Sequence, residues 1–246
     1  MVLTAVRGAL GFLSRLPVGH DEGAWDAFRR TSAAFPLAGY VIGALLAVPL
    51  LLPLTAPVAA ALFLATVYGV TGINHVDGLA DLGDAAAVHG TEKRRTVLKD
   101  TAVGVGSLLA VALVIAGLAL AALAVVALPL EIIVALVVVA EVSAKLGMAG
   151  LAAFGTPAHD GLGSQLIDQT PRRFAGAIVV SLPAVALSWP SPVGIGAMSA
   201  GLLTTAVVGR WAQSWLGGIS GDVFGAANEL SRLVALHVGV VMWTHF

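Results

Sequence analysis

The chain alternates between long uncharged apolar runs and polar segments, and this alternation predicts a bundle of membrane-spanning helices. Most runs are near the roughly 20 residues that a helix needs to cross the hydrocarbon core of a bilayer. Proline-containing breaks at 55–57, 128–130 and 189–192 separate successive runs, because proline interrupts helical hydrogen bonding and is tolerated at helix starts. The seven predicted spans are 34–54, 57–73, 103–128, 130–152, 174–189, 192–209 and 230–245.

The segments between the runs that are not short proline-containing breaks are longer and polar. With seven spans, all of these long segments fall on one side of the bilayer. Short cytoplasmic loops are enriched in Lys and Arg, and nearly all basic residues lie in or beside these connections. We therefore predict that the N-terminus and the long loops are cytoplasmic. Residues 1–33 are predicted to form an interfacial or re-entrant segment that begins with an interfacial helix, with no cleaved signal peptide. The long loops are 18–33, 74–101, 153–173 and 210–229.

Composition supports this class of protein. Hydrophobic residues make up 58% of the 246 positions and charged residues 11%, against roughly 25% charged in soluble domains. We expect a single all-α polytopic membrane domain over residues 1–246, in the cell membrane, with its active site on the cytoplasmic face. The formal net charge of −1 gives no reason to expect a nucleic-acid partner. The absence of cysteine excludes disulfides and thiolate metal sites.

The most specific polar feature follows the second span directly. Its carboxylates are spaced i, i+4 and i+7, so a helix would place them on one face, where they repel one another without a cation. Such oxygen ligands suit Mg²⁺ or Mn²⁺; the alternative is a solvated helix start. The histidine two residues before the first carboxylate is a candidate general base or partner of a metal ligand. These residues are His75, Asp77, Asp81 and Asp84.

A second acidic cluster follows the sixth span in a glycine-rich segment. A glycine-rich turn that leads into a helix presents backbone N–H groups suited to a phosphate, and the acids suit a metal. An ordinary capped loop is the alternative. The candidate residues are Gly221, Asp222, Asn228 and Glu229.

Basic residues lie between the two acidic clusters. A pyrophosphate beside a carboxylate-bound metal needs such positive charge, although Arg95 and Lys99 could also serve only as topology signals. Arg15 is either an interfacial anchor or a phosphate clamp. Glu141 and Lys145, four residues apart within a predicted span, are interpreted as a structural ion pair.

In this order, the motifs resemble the cobalamin synthase family, adenosylcobinamide-GDP ribazoletransferase, over nearly the whole chain. The segment from Thr71 to Asp81 is similar to the family's H-x-D-G-L-A-D signature, which is specific. Lys99 replaces a usual arginine, Ala85 follows Asp84 where glycine is common, and the basic residue near Lys145 is displaced by one position. The other similar segments are Phe12–Pro17, Phe35–Gly39, Lys99–Asp100 with Gly104 and Gly106, Gly161–Gly163 and Gly221–Glu229.

This resemblance implies the last assembly step of the cobalamin nucleotide loop. Adenosylcobinamide-GDP and alpha-ribazole, or its 5'-phosphate, would give adenosylcobalamin, or its phosphate, and GMP. Asp77, Asp81 and Asp84 would hold Mg²⁺ on the pyrophosphate, and His75 or one aspartate would take the proton from the ribose 3'-hydroxyl. The implied substrate-binding residues are Arg15, Arg95, Lys99, Asp100, Gly104, Gly106, Gly221, Asp222, Asn228 and Glu229.

Two other functions compete with this one. A membrane CDP-alcohol phosphotransferase also activates a hydroxyl with aspartates, but its D-x-x-D-G-x-x-A-R pattern is absent. A cation-coupled transporter would place acids at mid-membrane on broken helices, whereas these acids cluster near span ends. Beyond the two substrates and the lipid bilayer, other corrinoid-pathway enzymes and a second copy of the chain are candidate partners.

Overall fold

The computed structural model describes residues 2–19, 21–98, 100, 102–167 and 170–246, and within these ranges the protein is helical. This confirms the predicted all-α class. The helices are α1 (Val2–Leu13), α2 (Glu22–Arg29), α3 (Ala34–Leu51), α4 (Ala56–Thr71), α5 (Asn74–Ala87), α6 (Thr91–Val97), α7 (Val105–Val125), α8 (Leu130–Phe154), α9 (Leu162–Leu166), α10 (Pro171–Ala186), α11 (Val193–Trp215) and α12 (Gly221–His245).

Several of these helices are those of a membrane protein. Four of them, α3, α7, α8 and α11, are long and apolar enough to cross a bilayer, and a fifth span results if α4 and α5 are taken together. A bend of 96° separates α4 from α5, and α5 carries the acidic motif, so we place α5 outside the apolar spans. Each of the seven predicted spans overlaps a helix, while the number of crossings and their orientation stay predictions.

Helix α8 forms the centre of the bundle, where it packs against α3, α10, α11 and α12. Two glycines of α3, one turn apart, allow α3 to approach α8 closely. A Cβ on Gly39 would lie 2.9 Å from the Cα of Val142, and one on Gly43 would lie 2.8 Å from the Cα of Val138. Small residues of this kind allow two membrane helices to pack backbone against backbone.

Two of the predicted long loops are largely helical. Segment 74–101 contains α5 and α6, and within 210–229 α11 continues to Trp215 and α12 begins at Gly221. Ser220 caps the start of α12 by accepting a hydrogen bond from the backbone N–H of Val223, and Glu229 pairs with Arg232 within the helix. Charged residues that ended an apolar run in the sequence are therefore accommodated inside a helix by their partners.

The N-terminal segment forms a helical hairpin of α1 and α2. Asp21 caps α2 by accepting a hydrogen bond of 2.8 Å from the backbone N–H of Gly23, and its carboxylate pairs with Arg7. Gly8 allows the hairpin to close, because a Cβ there would collide with the carbonyl group of Ala24. The hairpin packs against α3 through α1 and through Phe28 of α2, whose ring contacts that of Phe35. Val2 and Leu3 of α1 are exposed, as expected for an interfacial helix.

Candidate active site

Helices α5 and α12 bring the two acidic motifs together. A Cβ on Gly78 would lie 2.6 Å from the carbonyl oxygen of Asp222, and one on Gly225 would lie 2.9 Å from the carbonyl oxygen of His75. Only glycine allows the backbones to approach this closely. The contact places the first turn of α12 beside the first turns of α5. The two helices are far apart in the sequence, since 153 residues separate His75 of α5 from Asn228 of α12.

The acids at this contact influence one another. Burial, followed by the negative charges of Asp222, Asp77 and Asp84, raises the pKa of Asp81 to about 6. Burial also raises the pKa of Asp222, with a smaller contribution in the same direction from Asp77. Carboxylates that raise one another's pKa values share a region that a cation would stabilise.

Asp84 has different surroundings from the other acids. Its carboxylate accepts hydrogen bonds from the backbone N–H of Gly104 at 2.7 Å, the N–H of Ser107 at 2.9 Å and the Ser107 hydroxyl. The hydrogen bond from the Ser107 side chain is the main cause that lowers the pKa of Asp84. Both oxygens thus cap the start of α7, so Asp84 has less freedom to bind a metal than the sequence alone suggested.

A cavity of about 690 Å³ lies beside the acidic residues, within the size range of small-molecule sites. His75, Asp77 and Asp222 lie on its wall together with apolar residues such as Phe12 and Trp25. Apart from Met148, its lining comes from the N-terminal hairpin and from three segments predicted to lie on the same side of the membrane, 74–101, 153–173 and 210–229. The structure therefore assembles these segments around one cavity.

Arg15 lines a second cavity of about 640 Å³ that adjoins the first. The two cavities share Gly11, Phe12, Gly19 and Asn74. Among the described residues, no Lys or Arg lines the first cavity, whereas four carboxylates do, those of Asp21, Glu22, Asp77 and Asp222. An anionic ligand that spans both cavities would meet Arg15 in one and a surplus of negative charge in the other.

A buried polar network lies behind His75. Lys145 pairs with Glu141 and donates a hydrogen bond of 2.8 Å to Oδ1 of Asn228, whose Nδ2 lies 3.2 Å from Nδ1 of His75. Burial, followed by the positive charges of Lys145 and Arg232, lowers the pKa of His75 to about 3. These surroundings favour the neutral imidazole over its protonated form.

The remaining members of this network are ion pairs. Arg232 pairs with both Glu141 and Glu229, and the charged side chains involved are at most 1% exposed. The predicted ion pair between Glu141 and Lys145 is confirmed. Neither Asn228 nor Glu229 is among the residues that line the two cavities, so their predicted contact with substrate stays a prediction.

The basic segment has mostly structural contacts. Nε of Arg95 donates to the carbonyl oxygen of Leu216 at 3.1 Å, and Asp100 accepts a hydrogen bond from the backbone N–H of Ala102. Gly106 packs against Gly83 of α5, where a Cβ on Gly83 would lie 2.6 Å from the Gly106 carbonyl oxygen. Arg95, Asp100 and Gly106 line neither cavity, whereas Gly221 lines the first. Lys99 lies outside the described residues.

Sequence reasoning missed several residues of the cavity wall. Glu22 and Trp25 belong to α2, Asp21 caps that helix, and Asn74 begins α5. Asp21 could have been recognised as a helix cap, since it precedes a short amphipathic helix, but its position at the cavity depends on how the hairpin packs. Asn74 directly precedes His75 and is the member of this set closest to the predicted motif.

The arrangement of the acids fits Mg²⁺ of the kind that accompanies phosphate substrates. Within the part of the chain that the structure describes, no three His, Asp or Glu side chains form a ready metal cluster. Mg²⁺ in phosphate-transfer sites is usually held by one or two carboxylates, with substrate oxygens and water completing its coordination. Asp77 and Asp222 on the cavity wall, with Asp81 one turn from Asp77, provide that type of donor set.

Comparison with known proteins identifies relatives along the whole chain. Residues 5–240 match the family model described as cobalamin-5-phosphate synthase. An adenosylcobinamide-GDP ribazoletransferase from Halorubrum lacusprofundi is 50% identical, with 100% of each chain covered. Relatives of the same name from Haloquadratum walsbyi and Methanococcoides burtonii are 45% and 34% identical over 99% and 98% of this chain, and over 99% and 93% of their own lengths. No solved structure matches the chain.

Proposed function

We propose the function of this chain from an established premise: it belongs to the cobalamin-5-phosphate synthase family. As an adenosylcobinamide-GDP ribazoletransferase, the name its relatives carry, it joins adenosylcobinamide-GDP to alpha-ribazole or alpha-ribazole 5'-phosphate. The products are adenosylcobalamin, or its 5'-phosphate, and GMP. The acidic cavity that adjoins Arg15 is the observation that carries the assignment of the site.

The reaction is a displacement at the phosphorus of the cobinamide-linked phosphate. The ribose 3'-hydroxyl oxygen of the riboside forms a bond to this phosphorus, the bond to the bridging oxygen of the pyrophosphate breaks, and GMP leaves with that oxygen. A cavity-wall carboxylate, that of Asp77 or Asp222, takes the hydroxyl proton. We favour these acids over His75 as the base because Nδ1 of His75 faces the amide of Asn228.

Asp81 would hold Mg²⁺ together with whichever of Asp77 and Asp222 does not take the proton, so that Asp222 replaces the predicted Asp84 among the candidate ligands. Mg²⁺, when bound, supplies positive charge to the pyrophosphate oxygens, which catalysis of phosphoryl transfer requires. The raised pKa of Asp81 supports this assignment, and so does the lack of Lys and Arg among the described residues of the first cavity. Arg15 contributes positive charge from the adjoining cavity.

The bilayer positions this site at the cytoplasmic face. The residues of the cavity come mainly from segments that the distribution of Lys and Arg assigns to the cytoplasm. A site at this surface receives both water-soluble substrates without requiring either to cross the membrane. A second copy of the chain and other corrinoid-pathway enzymes remain candidate partners at the same surface.

The test is release of GMP from adenosylcobinamide-GDP and alpha-ribazole by membranes that carry the protein. We expect wild type to be active with Mg²⁺ and inactive after chelation, and Asp77→Asn and Asp222→Asn each to lose about 10²-fold or more in kcat, the scale of a lost electrostatic contact in the transition state. Asp26→Asn is the matched control, because this exposed acid pairs with Arg29 and lines neither cavity.

The outcomes separate the elements of the proposal. Full activity of both site variants would contradict the assignment of the acidic cavity while leaving the reaction in place. Activity that survives chelation would contradict the role of Mg²⁺. Failure of well-folded wild type to release GMP would contradict the proposed reaction itself.

A further inference from the structure

The amide of Asn228 has only one orientation that satisfies its neighbours. The ammonium of Lys145 can donate hydrogen bonds but cannot accept them, so the atom of Asn228 that it contacts at 2.8 Å must be Oδ1. The Asn228 Nδ2 group then donates to Oε1 of Glu229 at 3.1 Å and faces Nδ1 of His75 at 3.2 Å. Both N–H groups of the amide and its oxygen are thus used.

This orientation determines where His75 carries its proton. An amide NH₂ group cannot accept a hydrogen bond, so Nδ1 of His75 must be the acceptor and the ring proton lies on Nε2. Nε2 has no partner among the described residues, and it is not among their buried unpartnered atoms, so it retains accessible surface. His75 is among the residues that line the first cavity.

A network of buried ion pairs lies behind the amide. Lys145 is held by Glu141, which also pairs with Arg232, and Arg232 pairs with Glu229 at 2.7 Å. Each of these charges is buried and has an oppositely charged partner. The imidazole is therefore supported by a chain of buried polar contacts that extends from α8 through α12 to the start of α5.

We propose that Lys145 and Asn228 are positioning residues that hold His75 in its Nε2–H form, so that His75 donates a hydrogen bond to a pyrophosphate oxygen of the substrate. The donor role rests on the proposed function, whereas the proton position does not. Among its described lining residues the first cavity has carboxylates but no cationic donor for phosphate oxygens. An N–H donor held at this wall would stabilise charge that develops on these oxygens during transfer.

The first measurement is the ¹⁵N spectrum of histidine-labelled protein in lipid nanodiscs without substrate. The His75 signals are identified by their loss in His75→Asn. We expect wild-type His75 to show a protonated Nε2 and an unprotonated Nδ1. In Asn228→Asp, a carboxylate replaces the donating amide and can accept from Nδ1–H, so the proton should move to Nδ1.

The second measurement is steady-state kinetics of the same proteins. We expect Asn228→Asp to lower kcat by about 10²-fold, the typical effect of losing one such donor, with little change in KM. Ser231→Ala is the matched control, since Ser231 lies one turn further along α12, is equally buried and bonds to Thr205 and Gly201 but not to His75. This variant should keep both kcat and the His75 spectrum of wild type.

Each outcome decides a separate question. A wild-type His75 protonated on Nδ1 would overturn the proposal even if Asn228→Asp does not fold. Wild-type kcat in a folded Asn228→Asp variant would overturn the donor role. Wild type with the expected spectrum but no transferase activity would contradict the proposed function and, with it, the donor role, while the assigned proton position would stand.

Discussion

The acidic residues of α5 have regular spacing in the sequence but different surroundings in the structure. Asp77 lies on the cavity wall, Asp81 is half-buried among the other acids, and Asp84 caps α7. Helical periodicity predicted that the three share a face. It could not distinguish a carboxylate that meets a ligand from one that meets the N-terminus of another helix, because that depends on which helix packs beside it.

Replacement of Asp84 tests this distinction. We expect Asp84→Asn to lower the free energy of unfolding by about 1–2 kcal/mol, the scale of a weakened charged cap, and to leave the concentration of Mg²⁺ needed for activity unchanged. The pKa of Asp84 is lowered in the folded state, so its ionised form stabilises the fold above its unfolded pKa, and this contribution is lost as pH falls through the lowered folded value.

We would measure chemical denaturation of wild type and Asp84→Asn from neutral pH down to below the folded pKa of Asp84. Titrations of activity with Mg²⁺ near neutral pH complete the check. The stability difference between the two proteins should shrink on acidification. A variant that folds as stably as wild type but needs far more Mg²⁺ would identify Asp84 as a metal ligand after all.

The partners of Asn228 show where residue-level prediction reaches its limit. The acidic and histidine motif was recognisable because its residues are close in sequence, and the pair Glu141–Lys145 because the two residues lie one helical turn apart. The contacts from Asn228 to His75 and Lys145 cross 153 and 83 positions of the chain. No local spacing indicates such contacts.

At the scale of helices, glycines determine which elements can meet. Gly78 and Gly225 lie at the contact of α5 with α12, and Gly83 and Gly106 at the contact of α5 with α7. Glycine inside a helix costs roughly 1 kcal/mol relative to alanine, and one reason to have it there is a close approach of the backbone to a ligand. The structure shows instead a close approach to two neighbouring helices, which places the acids of α5 beside Asp222.

Gly78→Ala should separate α5 from α12. The added Cβ would lie 2.6 Å from the carbonyl oxygen and 2.7 Å from the Cα of Asp222, and backbone atoms can move away only if the helices shift. We expect a loss of about 1–3 kcal/mol in stability, as for other overpacked sites. We also expect a large loss of GMP release, because Asp77 and Asp222 would no longer share the cavity wall.

The matched control is Gly69→Ala in α4, where a Cβ would meet no atom within 4 Å. Alanine should be neutral or stabilising there, since it forms helix better than glycine. Thermal unfolding and activity assays of both variants distinguish the two positions. Equal effects at both positions would show that the glycines act only through helix propensity.

For the whole molecule, apolar runs located the seven long helices but not their exact ends. The predicted span 230–245 covers only the later part of α12, which begins at Gly221. The glycine-rich segment itself predicts the start of a helix, and Ser220 caps that start by accepting a hydrogen bond from the backbone N–H of Val223. The N-terminal hairpin was predicted as an interfacial element, but its contribution to the cavity wall required tertiary packing that the sequence pattern does not reveal.

The orientation of the molecule can be measured directly because the chain contains no cysteine. Single cysteines at exposed positions report the side of the membrane through a maleimide that cannot cross the bilayer. We expect Thr91→Cys and Asp160→Cys to react only in inverted vesicles, since both lie in predicted cytoplasmic segments. Thr55→Cys and Ala127→Cys, in the short connections after α3 and α7, should react from outside intact cells.

This pattern would support the seven-span arrangement, in which the cavity faces the cytoplasm where Lys and Arg concentrate. Full reversal of labelling would place the site on the outer face and would contradict the proposed access for both substrates. Labelling of Thr55→Cys, Thr91→Cys and Asp160→Cys from one side, with Ala127→Cys labelled from the other, would mean that α4, with its bend into α5, does not complete a crossing while α7 and α8 do. The acidic cavity would then lie at the end of a re-entrant element, and the number of spans would have to be revised.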